Sequence, residues 1–380
     1  ERWNLHILVD GCSETLSTRC VVLATGAREY VQPFPGWTTP GVFGLAGATA
    51  LMKSQQCPPG RRAVVSGGGP LAIFAAAEIL RLGGEVAALV VPNARSDWLR
   101  RLPDLAGNLD LARRGAEMML RLRRAGVPIL WRHLVTRATG APALESVQVS
   151  PCDGNWTPKG PGRQIEAETL CVGHGLVPNT DPAALAGVEL TYDDTLGVWV
   201  AWTGPSGETA LPGLYLCGDG ALLRGAETAR LKGRQAGLAA ARVLNGEGLP
   251  ESPRGMRRKD RFGAAMTSLA SPRPGLLTLT DDQTVVCRCE TLTRGRLDTA
   301  IDAGARSLGA LKSATRCGMG PCGGRYCMTA AARLIANRTG QSPASIAPPT
   351  PRPPLFPLPA GALVAGFDYD DLPIPTPAPL

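Results

Sequence analysis

Aromatic residues are scarce in this chain: Trp, Tyr and Phe make up 5% of its 380 residues. Core filling therefore falls to Ala, Val and Leu. No aromatic platform is interleaved with the basic segments, which argues against a nucleic-acid surface. Histidine is scarcer still, with three residues, His6, His133 and His174. No Ser/His/Asp arrangement and no catalytic pair of carboxylates is apparent. Long apolar runs are missing too. The best, 63–92, is interrupted by Glu78, Arg81 and Glu85, short of the roughly 20 residues a transmembrane helix needs. No secretory leader is visible, and the expectation is a cytoplasmic protein. Cys-x-x-Cys does not occur, which argues against a disulfide reductase working through a dithiol.

What is there points to a globular chain. Apolar residues make up 44%, enough for a sizeable core, and the length suggests two to three domains at roughly 150 residues each. Much of the net charge of +8 is Arg between Arg95 and Arg137, on a helical stretch, LARRGAEMMLRLRRAG, that reads as a solvated face. The eleven Cys are an odd number in a chain too long to need disulfide staples, which fits a reducing compartment. Five of them fall between Cys287 and Cys327.

Strand-like runs at 5–9 and 18–23 flank a turn at Asp10–Gly11, and the second ends in Ala24-Thr25-Gly26. From Arg62 the pattern becomes strand, glycine turn, helix, strand: AVVSGGGPLAIFAAAEILRLGGEVAALVV, one βαβ unit with strands buried on both faces. Another run, 164–172, ends at Gly173-His174-Gly175. A further one, 214–217, stops at Gly218-Asp219-Gly220 before a helical stretch at 226–244. Residues 246–282, with Pro, Gly and charge, read as a linker. The last 35 or so are Pro-rich, as in PPTPRPPLFPLP and PIPTPAP, and suggest extended polyproline-like coil.

In the βαβ unit, Gly67 allows the tight turn, Gly69 lets the backbone approach a pyrophosphate, and Ala72 permits close helix–strand packing, with the helix N-terminus facing the anion. One part is missing. The second strand should end in an acid for the ribose hydroxyls, but ends Val90-Val91-Pro92-Asn93. NAD(P) is thus a candidate cofactor with a count against it. Ala24, Thr25 and Gly26 let the chain turn beside a cofactor. Asp219, between Gly218 and Gly220, offers a carboxylate to the hydroxyls of a flavin's ribityl chain. The three motifs in this order say more than any one alone.

The cysteines carry the sharpest signal. Cys287-Arg288-Cys289 and Cys322-Gly-Gly-Arg-Tyr-Cys327 are two close pairs that can bring four thiolates to one point, for a [2Fe–2S] cluster or a structural zinc. The surroundings favour iron–sulfur. Gly318, Gly320, Gly323 and Gly324 free backbone N–H groups for sulfurs, Cys327 opens a helical run, and Arg288 and Arg325 add positive charge. Cys317 is a fifth thiol, read as a spare. Leu297, Ala300 and Ile301 form an apolar helical stripe.

These stretches resemble a known family, the FAD-dependent alpha or A subunits of heteromeric amine-oxidising dehydrogenases. Opine oxidase, hydrogen cyanide synthase and proline or hydroxyproline dehydrogenase complexes are its types. The resemblance runs from about residue 18 to 345, through VVLATGAREYVQPFPGWTTPGVFGLAGATALMKS, VVSGGGPLAIFAAAEIL, LCVGHGLVPNTD and LPGLYLCGDGALLRGAETARLKGRQAGLAAA. It ends with VVCRCE and TRCGMGPCGGRYC, which look like a BFD-type [2Fe–2S] domain.

The resemblance implies an α/β fold: a two-dinucleotide-binding-domain flavoprotein, here without the family's opening strand–GxGxxG–helix, plus a small helical [2Fe–2S] domain. The implied order is an FAD-binding segment (1–56), an inserted NAD(P)-binding-like domain (57–151), a second FAD segment (152–245), a linker (246–282), the BFD-like domain (283–345) and a Pro-rich tail (346–380). The implied cofactors are FAD, lined by Ala24–Gly26, Gly218 and Asp219, and a cluster on Cys287, Cys289, Cys322 and Cys327. Cys317 stands where the family has a small residue. The implied partners are an amino-acid-oxidase-like flavoprotein subunit that oxidises the amine, and an electron acceptor. A scaffold subunit with a structural metal and an NAD(P)H-dependent flavin oxidoreductase are the alternatives.

Overall fold

The computed structural model describes residues 2–251 and 255–363. Its centre is a five-stranded parallel sheet in the order Val42–Gly44, Thr169–Gly173, Arg62–Gly67, Glu85–Val91, Ile129–Trp131. The inner strands are buried on both faces, with Val64, Val65, Leu89 and Val90 fully enclosed. One face is covered by helices Leu45–Gln55, Pro70–Arg81 and Leu109–Arg124, whose Ala48, Met52, Ala75, Ala76, Ile79 and Leu122 pack on it. The run of alanines on Pro70–Arg81 lets that helix lie close to the sheet. The other face carries the antiparallel strands His133–Thr139, Ser146–Pro151 and Arg163–Glu166, with Phe34, Trp37 and Trp156 filling the space between.

The sheet therefore reaches beyond the 57–151 expected for the inserted domain, taking one strand from each flanking segment. The three residues of Val42–Gly44 have no period to display. The fully buried Thr169–Gly173 is an apolar run that names no partner.

Two short parallel strands, Val21–Leu23 and Leu214–Leu216, close a second, smaller lobe. Strand Ala27–Glu29 pairs antiparallel with Leu176–Pro178 between the two lobes. Residues 246–282 are not a plain linker. They hold the helix Met256–Ala270, buried through Gly263, Ala265, Met266 and Leu269, and a 3-10 turn Pro274–Leu279 whose Leu276 and Leu279 join the core around Trp156. Flanking prolines and a run of charges masked the helical spacing of those small and apolar residues.

The C-terminal unit is built from the strands Val285–Cys287 and Leu292–Thr293 and the helices Arg294–Asp302, Leu308–Thr315 and Cys327–Thr339. Leu297, Ile301, Leu311, Leu334 and Ile335 fill its core, which Tyr30, Val177 and Leu223 of the flavin-type lobe share. After Ile346 the chain crosses this unit as a strap: Trp199 Nε1 donates to the Ile346 carbonyl (3.2 Å) and Arg325 Nη2 to that of Leu355 (2.7 Å). The motif PIPTPAP lies outside the described residues. No helix among the described residues is long and apolar enough to cross a membrane.

Two helical glycines separate propensity from packing. Gly237 has open space around its missing Cβ, whereas a Cβ on Gly263 would lie 2.2 Å from the Arg224 carbonyl oxygen. Gly237→Ala is expected to gain up to about 1 kcal/mol from helix propensity. Gly263→Ala is expected to lose about 1–3 kcal/mol to overpacking. Thermal denaturation of the two variants reads the opposite signs.

Candidate functional site

The pairing of Val21–Leu23 with Leu214–Leu216 delivers two turns to one place. Cys217 N donates to the Leu23 carbonyl (3.0 Å), and beyond it the chains turn at Gly26 (φ +66°) and Gly218 (φ +67°). A Cβ on Gly220 would sit 2.7 Å from Thr25 Oγ1 and 3.0 Å from Gly26 N, so the two turns touch. Asn179 braces the first of them: Thr25 Oγ1 donates to its carbonyl (2.8 Å) and its N–H donates to the Gly26 carbonyl (2.9 Å). Asp219 Oδ1 accepts from the N–H groups of Arg224 (2.8 Å) and Gly225 (2.9 Å). Its carboxylate is thereby fixed at the wall of a cavity of about 950 Å³, beside the N-terminus of helix Ala226–Leu244, which has no side-chain cap. A held carboxylate and uncapped helix N–H groups on one cavity match the polyol and phosphates of a flavin dinucleotide.

Glu29, which the sequence did not single out, lines the same cavity. Its Oε2 accepts from Ala46 N (2.9 Å) at the start of helix Leu45–Gln55, and burial raises its pKa despite that bond and one from Gly47 N. His174 lies behind the wall. Its Nδ1 accepts from Gln32 N (3.0 Å), and burial, helped by Arg333, pushes its pKa down to about 3. Its Nε2 is buried without a hydrogen-bond partner among the described residues.

The glycine turn 67–69 opens onto the cavity as well, but its outer face is taken. A Cβ on Gly68 would meet the Leu269 carbonyl oxygen at 2.5 Å, and one on Gly69 would meet Ala270 Cβ at 2.7 Å. The C-terminal end of helix Met256–Ala270 thus rests on the turn. Asn93, in place of the ribose-binding acid, is fully buried and donates through Nδ2 to the Leu269 carbonyl (3.2 Å). Pro70 removes the first N–H that such a helix would aim at a phosphate. The side of the turn that faces Leu269 and Ala270 is covered by the chain itself, and the acid that would take the ribose hydroxyls of a nicotinamide dinucleotide is replaced by a buried amide. Gly67 and Ala72 meet each other in the strand–helix packing the motif describes.

The cysteines gather on the third side. Cys287 ends its strand and Cys327 opens helix Cys327–Thr339; both are buried. Cys317 is buried too, and the sulfurs of Cys287, Cys317 and Cys327 lie within 4.8 Å of one another. The exposed Cys289 and half-buried Cys322 are hydrogen-bonded to each other. Backbone N–H groups reach the sulfurs: those of Gly318 and Glu290 to Cys287, and those of Tyr326, Gly324 and Arg325 to Cys322. Burial opposes ionisation of Cys322, yet these N–H groups and the Cys289 thiol hold its pKa below the ordinary thiol value. Gly320 is required at close quarters, since a Cβ there would overlap that of Cys289.

Arg28 ties the cluster loop to the flavin turn. It lies two residues after Gly26, and its Nε donates to the Arg325 carbonyl (3.0 Å), while Arg325 Nη1 donates to that of Cys322 (2.9 Å). Arg28 Nη1 and Arg325 Nε are buried without an acceptor among the described residues. Two unanswered cationic donors beside four or five thiols suit a negatively charged iron–sulfur cluster.

Comparison with known proteins agrees with this geometry. The model of the pyridine nucleotide-disulphide oxidoreductase family matches residues 3–242, and that of the BFD-like [2Fe-2S] binding domain matches 285–337. The chain is 31% identical to hydrogen cyanide synthase subunit HcnB of Pseudomonas protegens, over 94% of this chain and 77% of that protein. It is also 31% identical to an opine oxidase subunit from Agrobacterium tumefaciens, over 93% and 70%. L-proline dehydrogenase from P. horikoshii shares the fold, with a TM-score of 0.68 and 21% identity. The likeness covers 96% of the present chain but 62% of that solved chain. FAD and [2Fe–2S] are the cofactors of these two domains.

Two outcomes check the site. Asp219→Ala, which removes a fixed acceptor, is expected to weaken FAD binding by about 10- to 100-fold, the worth of a hydrogen bond to a charged group, read by flavin fluorescence titration. Gly69→Ala is expected to lower the melting temperature, and Gly69→Ala/Ala270→Gly to recover most of the loss. A loss that the second substitution leaves untouched would mean the helix end is not seated on the turn.

Proposed function

We propose that this chain, which belongs to the pyridine nucleotide-disulphide oxidoreductase family, is the electron-transferring subunit of a heteromeric oxidoreductase. The observation that carries the proposal is the seating of Leu269 and Ala270 on the glycine turn. With one side of that turn covered and the ribose-binding acid absent, the reading has reducing equivalents enter the flavin from another source. The relatives named above are each one component of a larger enzyme. The reading assigns substrate oxidation to an amino-acid-oxidase-like flavoprotein partner, which works on an amine or amino-acid-type substrate: an opine, an imino acid or a glycine-like compound.

When bound, FAD accepts electron pairs and the cluster relays single electrons. The chain's own residues do the rest. Asp219 holds the polyol, positioned by the Arg224 and Gly225 N–H groups. The N-terminus of helix Ala226–Leu244 meets negative charge. Asn179 braces the turn at Thr25 and Gly26. Arg28 and Arg325 stand between flavin turn and cluster loop, where their charge favours the reduced, more negative cluster. Leu269 and Ala270 cover the side of the glycine turn that would meet a pyrophosphate. The free thiols support a location in the reducing cytoplasm.

The test is an anaerobic visible spectrum of the chain loaded with FAD, iron and sulfide. About two iron per chain and released FAD are expected, with bleaching by dithionite and none by NADH or NADPH. Rapid bleaching by NADPH would instead favour a self-contained flavin reductase. A colourless, zinc-holding protein would favour a scaffold role.

A further inference from the structure

We propose that Cys317 is a spare ligand to one iron of the cluster, able to take the place of Cys287 or Cys327. The proposal rests on the [2Fe–2S] reading of this loop. Five thiols converge where a [2Fe–2S] cluster takes four, two on each iron, and their arrangement is not symmetric. Cys289 is exposed and Cys322 half-buried. Cys287 and Cys327 are buried beneath them. That sorts the four into an outer and an inner pair.

Cys317 belongs with the inner pair alone. It is fully buried, and its sulfur lies within 4.8 Å of both inner sulfurs. A tetrahedral metal with bonds of about 2.3 Å holds its sulfurs about 3.8 Å apart. Any two of the three inner sulfurs are therefore within about 1 Å of a metal-binding separation. The chain fixes this placement. Arg316, left-handed at φ +67°, ends helix Leu308–Thr315, and its N–H bonds to the Lys312 carbonyl. Cys317 N then donates to Thr315 Oγ1 (3.2 Å). The next residue, Gly318, gives its N–H to the Cys287 sulfur. A thiol so held cannot swing to solvent, and the outer pair has no such neighbour.

The asymmetry is testable in the full chain, reconstituted anaerobically with ferrous iron and sulfide. Iron and sulfide are counted, and the reduced cluster is examined by electron paramagnetic resonance. Cys289→Ala and Cys322→Ala are expected to hold about tenfold less iron than the wild type, for want of a ligand. Cys287→Ala and Cys327→Ala are expected to keep more than half of it, with a shifted resonance from the exchanged ligand. Cys317→Ala alone is expected to load fully, and Cys317→Ala/Cys327→Ala to load as poorly as the outer variants. The proposal is overturned if both inner variants are as empty as the outer ones, if both fail to fold by circular dichroism, or if the double variant keeps its cluster. A wild-type chain that takes up no iron and sulfide would sink the cluster reading itself.

Discussion

The parallel pairing of Val21–Leu23 with Leu214–Leu216 is the constraint on which the site depends. It joins segments some 190 residues apart in the chain, across the whole of the inserted sheet. Without it Gly220 would not meet Thr25, and Asp219 would not stand at the cavity wall. The pairing also fixes where Ala27–Glu29 leaves the lobe, and so where Arg28 meets the cluster loop. Three residues on each strand are a small basis for that. The bracing of the Thr25–Gly26 turn by Asn179 and the apolar contacts of Val21, Leu214 and Leu216 with Ala183 and Ala201 supply the remainder.

Much of the fold and part of the site were legible in the sequence because they are local. The strand–glycine–helix run at 62–81, the Gly-Asp-Gly turn at 218–220 and the paired cysteines are each written within a few tens of residues. What was not legible depends on distance in space. Val42–Gly44 and Thr169–Gly173 carry no mark of joining the same sheet as Arg62–Gly67. Nothing in ARE announces that Arg28 will reach Arg325 or that Glu29 will face the cavity. The helix Met256–Ala270 has adequate spacing but was hidden by Pro253, Pro272 and the basic residues of MRRKDR.

The glycine turn shows how a motif and its use can part. Gly67 and Ala72 still serve the packing of helix on strand, which is the structural half of the fingerprint. The ligand half has been taken by a protein segment. The absent acid at Asn93 and the helix end at Leu269 are two sides of one contact, since the amide that replaces the acid bonds the carbonyl that covers the turn. A missing residue in a motif can thus mark the arrival of a protein partner for that motif.

Cys289 is the exposed member of the thiol group, and a Cβ on Gly320, next to the exposed Met319, would press against it. On the proposed ligand set, an electron on an iron held there would be separated from solvent by little more than its own ligand. Tunnelling falls off exponentially with distance, so the rate of departure is set by how closely another protein's redox centre can approach that edge. On the electron-transfer function proposed above, the outlet of this chain would be a patch of surface, and its specificity would lie in shape and charge at a contact between proteins.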